Sequence, residues 1–246
     1  MTLPAEWIKP DWPAPANVRA FVTTRLGGVS AGEYASMNLG LDSGDDAANV
    51  ARNRLIVLAV LPSPPVWMKQ VHGIEVADLD RIAPGEAPRA DAAVTGEAGR
   101  AAAVLTADCM PLFLCDAAGK RVGVAHAGWR GMAAGVIEAT VGALQSDPRG
   151  ILAWMGPAIG PAAFEVGPEV RAAFVEVDPR AHTAFTPDGR GKYRADLYRL
   201  ARQRLERAGV RAVFGGGFCT CREAERFFSY RRVPASGRMG AFIWME

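Results

Sequence analysis

The stretch "TADCMPLFLCDAAGKRVGVAHAGWRG", residues 106–131, contains two apolar runs separated by a short polar segment. Asp116 and Gly119 in that segment are residue types that favour turns, so the stretch predicts an antiparallel β-hairpin. Cys109 lies on the first arm of the hairpin and His126 on the second. Whether these two side chains meet decides which chemistry the chain can support.

The register of the hairpin depends on where its loop is centred. If the loop is centred on residues 117–118, Cys109 lies directly opposite His126, with the two Cβ atoms about 4.5–5.5 Å apart. A slip of one residue would place the two side chains on opposite faces of the sheet. Pro111 cannot donate a ladder hydrogen bond and favours a bulge, so the register stays open at this point.

A third candidate ligand is His72, in the segment "KQVHG" (69–73). Zn²⁺ takes thiolate and imidazole ligands at about 2.3 and 2.1 Å. Two histidines and one cysteine with an open fourth position are typical of a catalytic zinc site, whereas structural sites usually fill all four positions. The only other histidine, His182, lies outside any motif and is predicted to be a surface residue.

Two other interpretations of the cysteine and the histidine remain open. Cys109 can be a small buried thiol, with His126 as a hydrogen-bonded strand residue. The same geometry also suits a cysteine nucleophile with a histidine base, as in cysteine hydrolases. Such a hydrolase has no need of His72, whereas a metal site does.

Composition excludes several classes of protein. The chain has 246 residues, half of them hydrophobic, and a net charge of +2, which is enough for a sizeable core. The Arg-rich segment 193–209 alternates with Leu and Ala as a solvated helix face does, so no nucleic-acid partner is expected. The longest apolar run, 55–61, is too short to span a bilayer, and residues 1–20 lack a signal-peptide core. We therefore expect a cytoplasmic protein with no membrane partner and no obligate protein partner.

Strands and helices alternate without a clean linker, which predicts one α/β domain over residues 1–246. A long Gly/Ser/Asp-rich loop, 26–46, is expected to be functional, and Asp45 or Asp46 is expected to cap the helix after it. Besides the two hairpin arms, the predicted strands are 18–25, two within 65–78 around Gly73, 91–95, 101–108, 150–156, 210–215 and 240–245. The predicted helices are 47–61, 131–145, 168–177 and 193–209.

Six blocks of sequence resemble the signature motifs of one family. They are "TTRLGGVSAGEYASMNLG", "MKQVHG", "TADCMPLFL", "VAHAGWRG", "GPAIGPAAFEVG" and "FFSYRR" followed by "GRMGAFIW". In this order they are similar to the YfiH/DUF152 family, whose members are also called polyphenol oxidase or multicopper laccase and now purine nucleoside phosphorylase, and to which human FAMIN belongs. The resemblance covers nearly the whole chain.

The resemblance implies a fold, a metal site and an activity. The implied fold is a single-domain, four-layer α/β/β/α sandwich with mixed sheets. The implied metal ligands are His72, Cys109 and His126, which would hold Zn²⁺ or, alternatively, copper. The implied activities are phosphorolysis of adenosine, inosine, guanosine and S-methyl-5′-thioadenosine, and deamination of adenosine. Cys221 matches no family cysteine and is assigned no role.

Several residues are candidates for the chemistry beside the metal. Cys109 and His126 are predicted to be catalytic, and Asp108 is the candidate proton shuttle, although it can equally be a strand-end cap. Phosphorolysis needs cationic groups for phosphate. The candidates for binding phosphate or sugar are Arg25, Asn38, Lys69, Arg130 and Arg231. For each arginine taken alone, a surface ion pair is the competing interpretation.

The resulting hypothesis is a zinc-dependent purine nucleoside phosphorylase with adenosine deaminase activity. The chain does not match the established signature of zinc deaminases, so deamination would come from an unrelated scaffold. A copper-dependent polyphenol oxidase is the first alternative, but three histidines are few for a multicopper enzyme. A Cys–His hydrolase and a non-catalytic protein with structural zinc are the others.

Overall fold

Two β-sheets form the centre of the molecule. The computed structural model describes residues 3–83 and 85–246. Its strands are β1 (Val18–Val22), β2 (Val76–Asp78), β3 (Ala92–Thr95), β4 (Ala102–Thr106), β5 (Met110–Asp116), β6 (Val122–Ala127), β7 (Ile151–Met155), β8 (Glu165–Val166), β9 (Phe185–Pro187), β10 (Tyr193–Ala195), β11 (Ala212–Gly215) and β12 (Met239–Met245). The helices are α1 (Ala47–Leu58), α2 (Trp129–Ala134), α3 (Val136–Ala143), α4 (Pro168–Val175) and α5 (Leu197–Arg207).

The larger sheet is mixed and has six strands in the order β11-β7-β5-β6-β3-β2. Its two outer pairs, β11 with β7 and β2 with β3, are parallel, and the inner pairs are antiparallel. The second sheet, β1-β12-β4, is antiparallel throughout. A small sheet, β8-β10-β9, was not predicted from the sequence, because its strands have only two or three residues each.

The apolar clusters show how the layers stack. One cluster joins Val104 and Ile243 of the smaller sheet to Phe113 and Val124 of the larger sheet, so these two sheets pack face to face. Successive residues of a strand point to opposite faces, and Leu112 accordingly packs on the other side of the larger sheet. The cluster there contains side chains of α2, α3, α4 and α5.

The outer face of the smaller sheet packs against the first helix. Phe21 and Phe242 of this sheet share a cluster with Val57 of α1. The order of layers is therefore α1, the three-stranded sheet, the six-stranded sheet, and the remaining helices. This arrangement confirms the predicted four-layer α/β/β/α sandwich, in which only the larger sheet is mixed.

The predicted register of the central hairpin is wrong by two residues. His126 lies opposite Pro111 rather than Cys109. The loop is longer than expected because the carboxylate of Asp116 accepts the backbone N–H groups of Lys120 and Arg121, which delays the start of pairing. A shift of two residues keeps every side chain on its original face.

No bulge forms at Pro111, and the ladder runs unbroken from Met110 to Cys115. The backbone N–H of His126 points away from Pro111 and donates to the carbonyl of Asp91, 2.7 Å away, just before β3. A proline opposite His126 therefore removes no hydrogen bond from the hairpin.

Three predicted elements are corrected by the structure. The segment 65–78 contains one strand, β2, because the backbone around residues 71–73 bonds to a side chain instead of a neighbouring strand. The predicted helix 131–145 divides into α2 and α3 at Gly135, whose φ of 114° is left-handed. The predicted helix 193–209 begins only at Leu197, after its N-cap Asp196. Within the described part of the chain, no helix combines the length and the apolarity that a bilayer crossing needs.

The stacked sheets make Phe113 a sensitive position. Its ring is fully buried and stacks on Trp154, with the ring centroids 5.7 Å apart. We expect Phe113→Ala to lower the free energy of unfolding by about 3–5 kcal/mol, because it leaves a cavity between the sheets. Urea unfolding would measure this loss. The control is Leu55→Ala, on the exposed face of α1, which should change stability by about 0.5 kcal/mol or less. Equal losses in both variants would contradict this packing.

Candidate metal site

Three side chains from separate parts of the chain meet beside the central hairpin. One ligand atom from each of His72, Cys109 and His126 lies within 4.8 Å of the other two. The Cys109 Sγ is 3.8 Å from Nε2 of His72. The two imidazole rings have centroids 4.8 Å apart and an interplanar angle of 69°. These are the three residues that the motifs predicted to lie together.

The backbone around two of the ligands is unusual. His72 has a φ of 61°, and Asp108, immediately before Cys109, has a φ of 93°. Non-glycine residues at such angles cost about 1–3 kcal/mol and persist only where their surroundings hold them. Cys109 lies just before β5 and His126 near the end of β6, so the hairpin fixes both. Cys109 is thus a diagonal neighbour of His126 rather than its direct partner.

A carboxylate that the sequence did not single out organises the site. Asp91 is completely buried, and its Oδ1 lies 2.8 Å from Nδ1 of His126. The same carboxylate accepts the backbone N–H groups of Val71, His72 and Gly73 at 2.7–3.0 Å. It therefore holds one ligand by its ring and another by its backbone.

Hydrogen bonding keeps this carboxylate ionised. Burial by itself would raise the pKa of Asp91, but the bonds from His126 and from the N–H groups of Gly73 and Val71 lower it to about 2. A carboxylate bonded to Nδ1 directs the Nε2 of the histidine towards the site. Aspartate is almost never fully buried unless it is paired, so Asp91 at the start of an apolar strand was the available signal in the sequence.

Cys109 and His126 are strongly coupled. Burial alone would raise the pKa of Cys109, but the charge and hydrogen bond of His126, with those of His72, lower it to about 6. Burial would likewise lower the pKa of His126, but Cys109 and Asp91 raise it to about 9. These shifts favour the thiolate form of Cys109 and the protonated form of His126. The thiolate is the form that binds metals and acts as a nucleophile.

The three residues fit a metal ion. One thiolate and two imidazoles form a donor set that suits Zn²⁺ or copper. Space beside them is kept open by Gly128, where a Cβ would lie 2.7 Å from Cys109 Sγ and 3.2 Å from His72 Cδ2. This group could therefore bind a metal. The remaining histidine, His182, is exposed, and its Nδ1 bonds the carbonyl of Pro179 instead.

Asp108 lies next to the ligand cysteine, but its carboxylate is already bonded. Its Oδ1 accepts the Thr220 hydroxyl at 2.6 Å, and its Oδ2 accepts the backbone N–H of Arg231 at 2.7 Å. These bonds tie two distant loops to the hairpin. The predicted role of Asp108 as a proton shuttle stays a prediction.

Three of the cations predicted to bind phosphate are exposed. Arg231 is exposed, yet its Nη1 donates to the carbonyl of Glu165 at 2.8 Å. Arg130 is exposed in the first turn of α2, with its guanidinium over the ring of Trp129. Lys69 is exposed in the irregular segment before His72. Their predicted contacts with phosphate stay predictions.

The other two predicted binding residues have structural partners. Arg25 donates to the carbonyls of Ala35 and Ala224 and stacks on Phe228. Asn38 is completely buried, and all of its polar side-chain atoms bond other protein groups. Direct contact of Asn38 with sugar or phosphate is untested, but the geometry gives it a supporting position within the loop 26–46.

Comparison with known proteins places this chain among close relatives. A family model described as multi-copper polyphenol oxidoreductase laccase matches residues 19–246. The chain is 51% identical over 241 residues to "Purine nucleoside phosphorylase PA4543" of Pseudomonas aeruginosa, covering 98% of each chain. It is 52% identical over 240 residues to "Purine nucleoside phosphorylase YfiH" of Escherichia coli, covering 97% of this chain and 98% of the relative.

Solved structures agree with this placement. The crystal structure of Neisseria meningitidis protein NMB0706, described as DUF152, aligns with a TM-score of 0.94 at 48% identity, covering 98% of this chain and 99% of that one. YlmD of Geobacillus stearothermophilus aligns with a TM-score of 0.92 at 33% identity, covering 100% and 98%. The resemblance that the motifs indicated is confirmed.

The open space at Gly128 gives a direct test of the metal site. Its φ of −71° is accessible to any residue, so a substitution acts only through the added Cβ. We expect Gly128→Ala to lower bound metal by about tenfold or more, since the Cβ would press on Cys109 and His72. Elemental analysis after dialysis against zinc would measure this. The control, Gly142→Ala on the open face of α3, should bind metal normally, and normal binding by both variants would show that Gly128 is not needed to keep the site open.

The carboxylate of Asp91 gives a second test. We expect Asp91→Asn to weaken metal binding about 10–100-fold, because the amide cannot hold His126 and three backbone N–H groups as a carboxylate does. Competition with a chromogenic chelator would measure the affinity. Asp11→Asn, at an exposed position, is the control and should keep the wild-type affinity. Unchanged affinity in Asp91→Asn would show that the ligands orient themselves without this carboxylate.

Proposed function

The chain belongs to the multi-copper polyphenol oxidoreductase laccase family, the YfiH/DUF152 proteins, and on that premise we propose that it is a metal-dependent purine nucleoside phosphorylase. Residues 1–246 would form one catalytic domain. The observation that carries the proposal is identity of 51–52% over nearly the full length with two proteins named purine nucleoside phosphorylase. The cluster of His72, Cys109 and His126 supports it.

The proposed substrates are purine nucleosides and inorganic phosphate. In phosphorolysis, phosphate attacks C1′ of the nucleoside, the bond from C1′ to the base breaks, and the base leaves with its electron pair and takes up a proton. The products are the free purine and ribose 1-phosphate. The expected nucleosides are adenosine, inosine, guanosine and S-methyl-5′-thioadenosine. The last of these would give 5-S-methyl-5-thioribose 1-phosphate in place of ribose 1-phosphate.

Zinc is the proposed metal, with copper as the alternative, and His72, Cys109 and His126 would hold it. Bound there, the ion would act as a Lewis acid and would lower the pKa of a bound water to about 7. The protein side chains would position the reactants. Asp108 is the proposed group for moving a proton, and exposed Arg130, Arg231 and Lys69 are proposed to attract phosphate.

Adenosine deamination is proposed as a second activity of the same site. In that reaction water adds at C6, ammonia leaves, and inosine forms. The reaction needs proton transfer but no phosphate, so phosphate dependence separates it from phosphorolysis. A cytoplasmic location is also proposed, since purine nucleosides and phosphate are both available there.

Two alternatives would use the same residues differently. The description of the family favours a copper oxidase of phenols, but the chain has three histidines, and only His72 and His126 lie at the site among the described residues. The thiolate–imidazolium pair favours a Cys–His hydrolase. Only the hydrolase would keep its activity without His72.

The proposed function is tested with adenosine as substrate. Purified protein with quantified metal is incubated with adenosine, with and without phosphate, and the products are separated by chromatography. We expect adenine and ribose 1-phosphate only when phosphate is present, and inosine in either condition if deamination also occurs. His72→Ala should lose both reactions by about 10³-fold or more, since it removes a metal ligand.

The matched control for this experiment is His182→Ala, which removes an exposed histidine that is not part of the ligand group and should keep both activities. If metal-loaded protein leaves adenosine, inosine and guanosine unchanged, the nucleoside proposal is wrong. Retained hydrolysis of an activated ester by His72→Ala would then favour the hydrolase. Oxidation of a phenol by copper-loaded protein alone would favour the oxidase.

A further inference from the structure

Arg238 lies beside the candidate metal site although no motif argument gave it a role. It immediately precedes β12, which pairs with β4 so that Met239 lies opposite Thr106. Thr106 lies two residues before Asp108 and three before Cys109, so this last pair of the ladder leads directly into the segment that carries the ligand cysteine. The strand pairing of the smaller sheet therefore brings this arginine to the hairpin end that carries the ligand cysteine.

The backbone of Arg238 and one side of its guanidinium are held by protein contacts. Its backbone N–H donates to Oδ1 of Asn38 at 2.8 Å, and its Nη1 donates to the carbonyls of Ser236 and Gly237 at 2.5 and 3.1 Å. Its Cγ packs on Gly40 so closely that a Cβ there would lie 2.7 Å away. The loop 26–46 thus contributes a buried amide and a glycine to the position of this arginine.

The far side of the guanidinium has no protein partner. Within residues 3–83 and 85–246, Nε and Nη2 of Arg238 donate no hydrogen bond, and no carboxylate lies within 4 Å of the group. The side chain is nevertheless only partly exposed. A half-buried cation of this kind is usually paired with an anion, because burial without a partner is costly.

The negative charges that act on Arg238 include those of the ligand cysteine and its neighbour. Burial lowers its pKa, and the groups that oppose this most are Cys109 and then Asp108. Arg25 differs, since burial and the like charge of Arg232 lower its pKa, and the charges that oppose this belong to Glu225 and Glu33. Of these two arginines, Arg238 is therefore the one that interacts with the metal-site cysteine.

We propose that Arg238 binds the phosphate co-substrate next to the His72–Cys109–His126 group. The proposal rests on the proposed function for the identity of the anion, and on the geometry of Arg238 for its location. Its Nε and Nη2 present the paired donors with which arginine binds phosphate in a bidentate way. In the reverse reaction the same donors would hold the phosphate of ribose 1-phosphate. Asn38 then acts as a positioning residue, through the backbone of Arg238, rather than as a direct contact.

The experiment compares Arg238→Met and Arg238→Lys with the wild type. We expect the KM for phosphate in adenosine phosphorolysis to rise about tenfold or more in Arg238→Met, and less in Arg238→Lys, which keeps the charge but loses the fork. The KM for adenosine and the metal content should change by less than about threefold. Calorimetric titration of metal-loaded protein with inorganic phosphate alone gives a second readout that needs no turnover.

The control is Arg54→Met. Arg54 is also partly buried, also bonds a carbonyl of the loop 26–46, that of Leu39, and stacks on Trp67. Arg54→Met should leave phosphate affinity unchanged, so it separates loss of a phosphate ligand from general weakening of the loop. If Arg238→Met does not fold, Arg238→Lys carries the comparison.

Three outcomes would overturn the proposal for Arg238. They are an unchanged phosphate KM in Arg238→Met, equal weakening by Arg54→Met, and loss of metal in Arg238→Met in place of phosphate affinity. The last would show that Arg238 acts only on the charge of Cys109. If the wild type performs no phosphorolysis, the proposed function fails, and phosphate titration still decides Arg238: binding by the wild type and not by Arg238→Met supports the anion site.

Discussion

The carboxylate of Asp91 is the interaction on which the site depends. It is fully buried and would be costly to ionise there without partners. The imidazole of His126 and three consecutive backbone N–H groups supply those partners. Because the same group bonds one ligand side chain and the backbone of another, it couples the left-handed turn at His72 to the larger sheet. Residues 71–73 therefore form a turn that places His72 beside the hairpin, and they do not continue as a strand.

Much of this arrangement could be predicted from sequence, and the period of a β-strand explains why. The hairpin, its turn residues and its two candidate ligands are local features, so residues 106–131 were sufficient to predict them. The predicted register was wrong by two residues, yet Cys109 and His126 still share a face, because side chains alternate with a period of two. The prediction of four layers, and the prediction that His72 lies beside Cys109 and His126 as a metal ligand, came from the family motifs. The local alternation of apolar and polar residues did not indicate either of them.

The features that were missed depend on contacts between distant segments. Asp91 lies across from His126 only because β3 pairs with β6, and nothing local to "DAAVT" indicates that neighbour. The break at Gly135 and the late start of α5 depend on a single left-handed residue and on the Asp196 cap. The strands of the small sheet are too short to show alternation. Arg238 was missed for the same reason as Asp91, since it depends on the pairing of β12 with β4, which are more than a hundred residues apart in the sequence.

The charges of the site explain how a metal ion and the surrounding protein fit each other. Asp91 is held ionised and Cys109 is readily ionised, so two negative charges surround His72 and His126. In the absence of a metal this balance raises the pKa of His126, which keeps a proton near neutral pH. A metal ion would have to displace that proton in order to bind His126, because metal ligands must be deprotonated. The proton and the ion would therefore compensate the same negative charges. A dication bound there would add positive charge beside Arg238, and the two together would favour a dianion such as phosphate on the open side of the site.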